Sequence, residues 1–122
     1  MLTGVVRARE ARIRLRVRGP FGQEREIEAV VDTGFTGLLT LPPELVTDLG
    51  LSWHSVGEAV LADGSKSSFD VYQAKVLWDG KARRVVVSEL DCVPLVGMGL
   101  LRGYNLNVQV RPRGKVTIRR LL

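Results

Sequence analysis

From Ala11 to Arg18 the chain alternates residue by residue: Arg12, Arg14, Arg16 and Arg18 interleave with Ile13, Leu15 and Val17. Successive side chains of an extended strand point to opposite faces, so a period of two fits a strand with one buried face and fits no helix. Gly19-Pro20-Phe21-Gly22 supplies a turn, after which Glu24, Glu26 and Glu28 alternate with Arg25, Ile27 and Ala29. Folded as a hairpin, the two stretches set a row of Arg opposite a row of Glu. Each such cross-strand pair stabilises by about 0.2–1 kcal/mol. The overall charge has to be weighed with that pairing in mind. Eighteen Lys+Arg, 14 of them Arg, against 13 Asp+Glu leave +5, and a basic chain invites a nucleic-acid reading. Here the Glu row can neutralise the Arg row, and a solvated face is the plainer account. Arg111, Arg113, Lys115, Arg119 and Arg120 lack such partners and are the better candidates for a basic patch.

The rest of the chain continues in short apolar runs between turn signals. Ala29-Val30-Val31 stops at Asp32-Thr33-Gly34, and Leu38 to Leu41 reads as a second buried strand. Pro42-Pro43 opens a short helix through Glu44 to Leu49, with Gly50 as its stop. Val56 to Ala62, the Asp63-Gly64 turn and Phe69 to Trp78 read as another hairpin, and Asp79-Gly80 turns the chain into a strand from Ala82 to Val87. Leu95-Val96-Gly97 is a short strand, Met98 to Arg102 holds one or two helical turns, and Leu106–Val110 and Val116–Ile118 close the chain. The expectation is one all-β domain over residues 1–122 with one or two short helices, since two cores in 122 residues would each be too small.

Several chemistries are excluded by count. Cys92 is the only cysteine, which rules out an intrachain disulfide and a CxxC metal site. His54 is the only histidine, so any Ser-His or Cys-His pair must use it and no multi-His metal site can form within one chain. His54 reads as a surface residue, Cys92 as a small buried hydrophobe, and Trp53 and Trp78 as core or interface anchors. No apolar run approaches the roughly 20 residues of a membrane span. The opening MLTGVVRARE lacks the apolar centre of a signal peptide, so a soluble, cytoplasmic protein is expected.

Asp32-Thr33-Gly34 carries the chemistry. A carboxylate directly after a buried strand is costly unless something holds it. Thr33 offers a hydroxyl, and Gly34 permits a tight turn that brings an amide to the carboxylate. The longer segment Ala29-Val30-Val31-Asp32-Thr33-Gly34-Phe35-Thr36-Gly37 resembles the active-site segment of the retropepsin-like aspartic proteases. Pro94-Leu95-Val96-Gly97-Met98-Gly99-Leu100-Leu101 resembles the apolar-apolar-Gly segment that packs behind their catalytic turn. Leu41 to Leu51 and Leu61-Ala62-Asp63-Gly64 are similar to the bacterial and archaeal single-domain members, and the likeness runs over residues 11 to 118. Retroviral members pair an acid with an arginine where this chain has Thr36 and Met98.

The resemblance implies a retropepsin-like β-barrel and peptide-bond hydrolysis by Asp32, with Thr33 bracing and Gly34 shaping the turn. It also implies that Thr36 and Ala62, Asp63, Gly64 and Ser65 meet the peptide or protein substrate, the last four on a flap. Neither metal nor organic cofactor is called for. Such hydrolysis needs two carboxylates sharing a proton, and the chain has one Asp-Thr-Gly, so a homodimer with an Asp32 pair is expected. In retropepsins the termini interleave between subunits, which implies that role for Val116, Ile118, Leu121 and Leu122. The alternatives are a dimeric β module of the same fold that lacks activity and binds peptides or a partner protein, and, more weakly, a nucleic-acid-binding β-barrel.

Overall fold

In the computed structural model, which describes residues 1–122, the chain runs β1 (Leu2–Arg7), β2 (Glu10–Arg18), β3 (Glu24–Val31), β4 (Leu39–Leu41), α1 (Pro43–Asp48), β5 (Ser52–Val60), β6 (Lys66–Trp78), β7 (Lys81–Glu89), β8 (Leu95–Val96), α2 (Met98–Leu101), β9 (Tyr104–Val108) and β10 (Lys115–Arg120). Strands hold 57% of the residues. The alternating segment forms β2, and its apolar residues Ile13, Leu15 and Val17 are buried while Arg14, Arg16 and Arg18 are exposed. Arg14, Arg16 and Arg18 lie directly opposite Glu28, Glu26 and Glu24. The shortest ion pairs between the two strands nevertheless run diagonally, Arg12 to Glu28 at 2.9 Å, Arg14 to Glu26 at 3.0 Å and Arg16 to Glu24 at 2.9 Å, while the facing pairs Arg18–Glu24 and Arg16–Glu26 are longer at 3.5 and 4.0 Å. Long side chains reach the diagonal neighbour of a twisted ladder as readily as the facing one. Hydrogen bonds from Arg12 hold the Glu28 carboxyl below the usual carboxylate range, and Arg16 does the same for Glu24.

One edge of β2 is shared by two partners. Gly4 to Arg7 of β1 pair with its first half, and Lys75 to Leu77 of β6 pair with Arg16 to Arg18. The second of these ladders links β2, β3, β8, β4, β7 and β6 in a ring of pairings, which makes the sheet barrel-like. Val17, Val76, Val87, Leu39, Leu41 and Val96, all fully buried, fill the interior.

A strand at Leu2–Arg7, without a counterpart in the sequence reading, precedes the alternating segment, and two expectations are corrected. Cys92 is exposed, in the bend between β7 and β8. The terminal strand β10 is paired on both edges within its own chain, with β1 and with β9, and Val116 and Ile118 are fully buried there. Val116 and Ile118 are thus docked internally, while Leu121 and Leu122, beyond β10, are exposed, and the free sheet edges belong to β5 and β9.

Candidate active site

The local sequence explains why Asp32 stands where it does. β8 runs parallel to β3 and antiparallel to β4, inserted between them. The loop joining β3 to β4 must therefore arch over the end of β8, and Asp32-Thr33-Gly34 is its first half. The Asp32 amide still donates to the Val96 carbonyl at 2.9 Å, so the residue is anchored to the sheet as it leaves it. Gly97 N donates to Leu38 O at 3.0 Å, Met98 N to Phe35 O at 2.8 Å, and Gly99 N to Gly37 O at 3.0 Å. These three bonds tie the arch to the start of α2.

Close packing completes the tie. A Cβ at Gly97 would meet the Gly37 carbonyl oxygen and lie 2.5 Å from Phe35 Cδ2. A Cβ at Gly37 would lie 2.5 Å from Phe35 Cζ. The Phe35 ring occupies the room that both missing side chains leave. Phe35 was not read from the sequence as a functional residue; glycines three residues after Gly34 and at Gly97 and Gly99 were the available signal.

Within the turn, Gly34 N donates to Asp32 Oδ1 at 2.9 Å, and Phe35 N donates to Asp32 O at 3.2 Å. Asp32 is half-buried, while Thr33 and Gly34 are exposed. One carboxylate oxygen is thus pinned by a backbone amide. Beside the turn lies a cleft of about 380 Å³ lined by Thr33, Met98, Leu101, Arg102, Gly103, Tyr104 and Leu106. Its apolar members include Met98, which is 48% exposed. Thr36 sits at the crest of the arch and is exposed.

The other residues singled out from the sequence lie on a different element. Ala62, Asp63, Gly64 and Ser65 form the exposed tip of the β5–β6 hairpin, whose hydrogen bonds are internal: Leu61 N to Ser65 O at 2.8 Å and Gly64 N to Leu61 O at 2.9 Å. Asp63 Oδ1 accepts from the Ser65 hydroxyl at 2.6 Å and the Ser65 amide at 2.9 Å, and these bonds hold its carboxyl below the usual range. Asp63 therefore caps the tip. Behind the tip the Phe69 ring covers Gly57 on the facing strand, where a Cβ would lie 2.5 Å from Phe69 Cε2. His54, exposed, bonds only its neighbour Ser55 at 2.9 Å. Trp78 is buried and meets Tyr104 edge to face at 5.6 Å, whereas Trp53 is 58% exposed with its Nε1 donating to Asp70.

No family model and no curated protein matches the chain. Solved structures do. The EIAV protease complexed with the inhibitor HBY-793 aligns over 78% of this chain and 88% of its own, with a TM-score of 0.55 and 13% identity. A retropepsin-like aspartic protease from Rickettsia conorii aligns over 100% of this chain and 98% of its own, with a TM-score of 0.47 and 16% identity.

Proposed function

We propose that this chain, which has the retropepsin-like fold, is an aspartic endopeptidase that works as a homodimer. The observation that carries the reading is the Asp32 turn itself: a half-buried carboxylate with one oxygen fixed by the Gly34 amide, on an arch locked from behind. A lone carboxylate cannot supply both a base and an acid in one step. Two copies meeting about a two-fold axis at the Thr33–Met98 cleft bring two Asp32 side chains together. Carboxylates about 3 Å apart do not both ionise cheaply, so the pair holds one proton between them. The ionised member takes a proton from a water held by both. That water attacks the scissile carbonyl while the other member protonates the carbonyl oxygen. The resulting tetrahedral diol breaks its C–N bond as a proton passes to the leaving amine.

The remaining residues serve this step in distinct ways. Thr33, exposed at the two-fold, braces one turn against the other. Gly34 fixes the carboxylate orientation. The tip from Ala62 to Ser65 closes over the peptide and excludes water. Thr36 and Met98 stand where retroviral members have a charged pair, so substrate is held here without that pair.

The test is turnover of a mixed peptide library between about pH 4 and 7. Wild type cleaves and Asp32→Asn does not, although it stays folded and dimeric. Cleavage that survives Asp32→Asn, or that a chelator abolishes, overturns the aspartic mechanism.

A further inference from the structure

The outer face of β2, β6 and β7 carries a feature that hydrolysis at Asp32 does not use. The ladders set Arg18 opposite Lys75 and Lys75 opposite Arg84, so three cations from three neighbouring strands form one row. Adjacent strands are only about 4.8 Å apart, and like charges directly opposite one another destabilise a sheet. One strand away, on β2 and β3, Arg12, Arg14 and Arg16 each have a Glu. In the row, Arg18 shares Glu24 at 3.5 Å, while Lys75 and Arg84 make no ion pair. The row borders a groove of about 670 Å³ walled by the turn at Gly19 and Pro20, and no carboxylate lines it.

Apolar surface flanks the cations. Val86, 36% exposed, and Leu77, 42% exposed, face outward on either side of the Lys75–Arg84 pair. Val86 lines the groove, whereas Leu77 lies outside it, next to Glu24. We infer that this groove binds an extended acidic peptide whose carboxylates, at alternate positions and so on one face, meet the Arg18–Lys75–Arg84 row beside Val86. No aromatic side chain lines the groove, so it lacks the stacking platform on which single-stranded nucleic acid relies. The site is independent of Asp32 and of dimer formation.

The probe is a fluorescein-labelled eight-residue peptide of alternating Glu and Val, read by fluorescence anisotropy on the full chain. Wild type binds it saturably, and affinity falls at least tenfold between about 50 mM and 500 mM salt as the charges are screened. Lys75→Glu with Arg84→Glu weakens binding at least tenfold. Arg111→Glu with Arg119→Glu changes the net charge equally and weakens it less than threefold. Both altered groove residues are exposed; should the reversed pair fail to fold, Lys75→Gln with Arg84→Gln decides, with a loss of at least fivefold. Asp32→Asn binds as wild type does, so failure here and failure of the catalytic reading are told apart. The inference is overturned by equal losses in the two charge-reversed pairs, by no saturable binding up to about 1 mM, or by a twelve-residue oligo-dT that binds more tightly and is lost with the same residues.

Discussion

Substituting alanine at Gly97 tests the arch that carries Asp32. Gly97 has φ −100° and ψ 178°, an extended conformation open to any residue, so the substitution carries no backbone strain of its own. The cost is steric. The new Cβ would run into the Gly37 carbonyl oxygen and lie 2.5 Å from Phe35 Cδ2 and 2.7 Å from Phe35 O. Two of those obstacles are backbone atoms that cannot rotate away. Overpacking of this kind costs about 1–3 kcal/mol. Relief requires the arch to lift, which stretches the bonds from Gly97 N, Met98 N and Gly99 N. Losing one or two of them adds about 0.5–1.5 kcal/mol each. A total near 3 kcal/mol lowers the melting temperature of a chain this long by about 10–15 °C. Thermal denaturation followed by circular dichroism reads it, with urea unfolding as a check. Adding Phe35→Leu removes one of the three collisions and recovers only part of the loss. Activity should vanish even below the new melting temperature, because the lifted arch moves the Asp32 carboxylate. A Gly97→Ala protein within 0.5 kcal/mol of wild type would mean that the arch is not clamped as described.

Two further outcomes are expected. Glu24 and Glu28 are held below the usual carboxylate range by Arg16 and Arg12, so their pairs stabilise the fold above the ordinary value of about 4.3 and lose that effect as pH falls through the lowered values. Urea midpoints should drop less steeply from about pH 5 to pH 2 in Glu24→Gln with Glu28→Gln than in wild type; parallel curves would refute the assignment. Met98→Glu puts two like charges beside the two-fold of the proposed dimer and should weaken self-association at least tenfold in sedimentation, whereas Val110→Glu, at a position 71% exposed in the β9–β10 connection, should not.

What the sequence displayed and what it hid divide along physical lines. The β2–β3 hairpin was legible because its period is strict and its turn contains Gly and Pro. The β5–β6 tip was legible through Asp63-Gly64, and Gly64 does adopt φ +84°. β1 was hidden for two reasons. Its turn is made by Ala8 and Arg9 at φ 51° and 60°, left-handed positions usually held by Gly or Asn. Gly4 also interrupts its apolar pattern, although the residue is needed there because a Cβ would collide with the Arg12 carbonyl. The diagonal course of the ion pairs follows from sheet twist, which no pattern of letters records. Asp32 could be picked out by its setting, but its clamp could not. β8 is two residues long and joins β3 and β4 from far along the chain. The Arg18–Lys75–Arg84 row was equally hidden, since its members come from three strands and meet only through their registers.

The position of β8 also sets the order in which the molecule can be assembled. The hairpins β1–β2, β2–β3, β5–β6 and β6–β7 join neighbours in the chain and close early, because short loops lose little entropy. The arch over Asp32 cannot close until Val96, Gly97 and Gly99 have been made and delivered. On the ribosome, Asp32 emerges with its strand long before the residues that clamp its arch, and through that interval only the bonds from Gly34 N and Phe35 N within its own turn are available to it. An unfinished chain therefore lacks the clamp behind the Asp32 turn, and the chemistry proposed for it waits until Val96 to Gly99 have been translated.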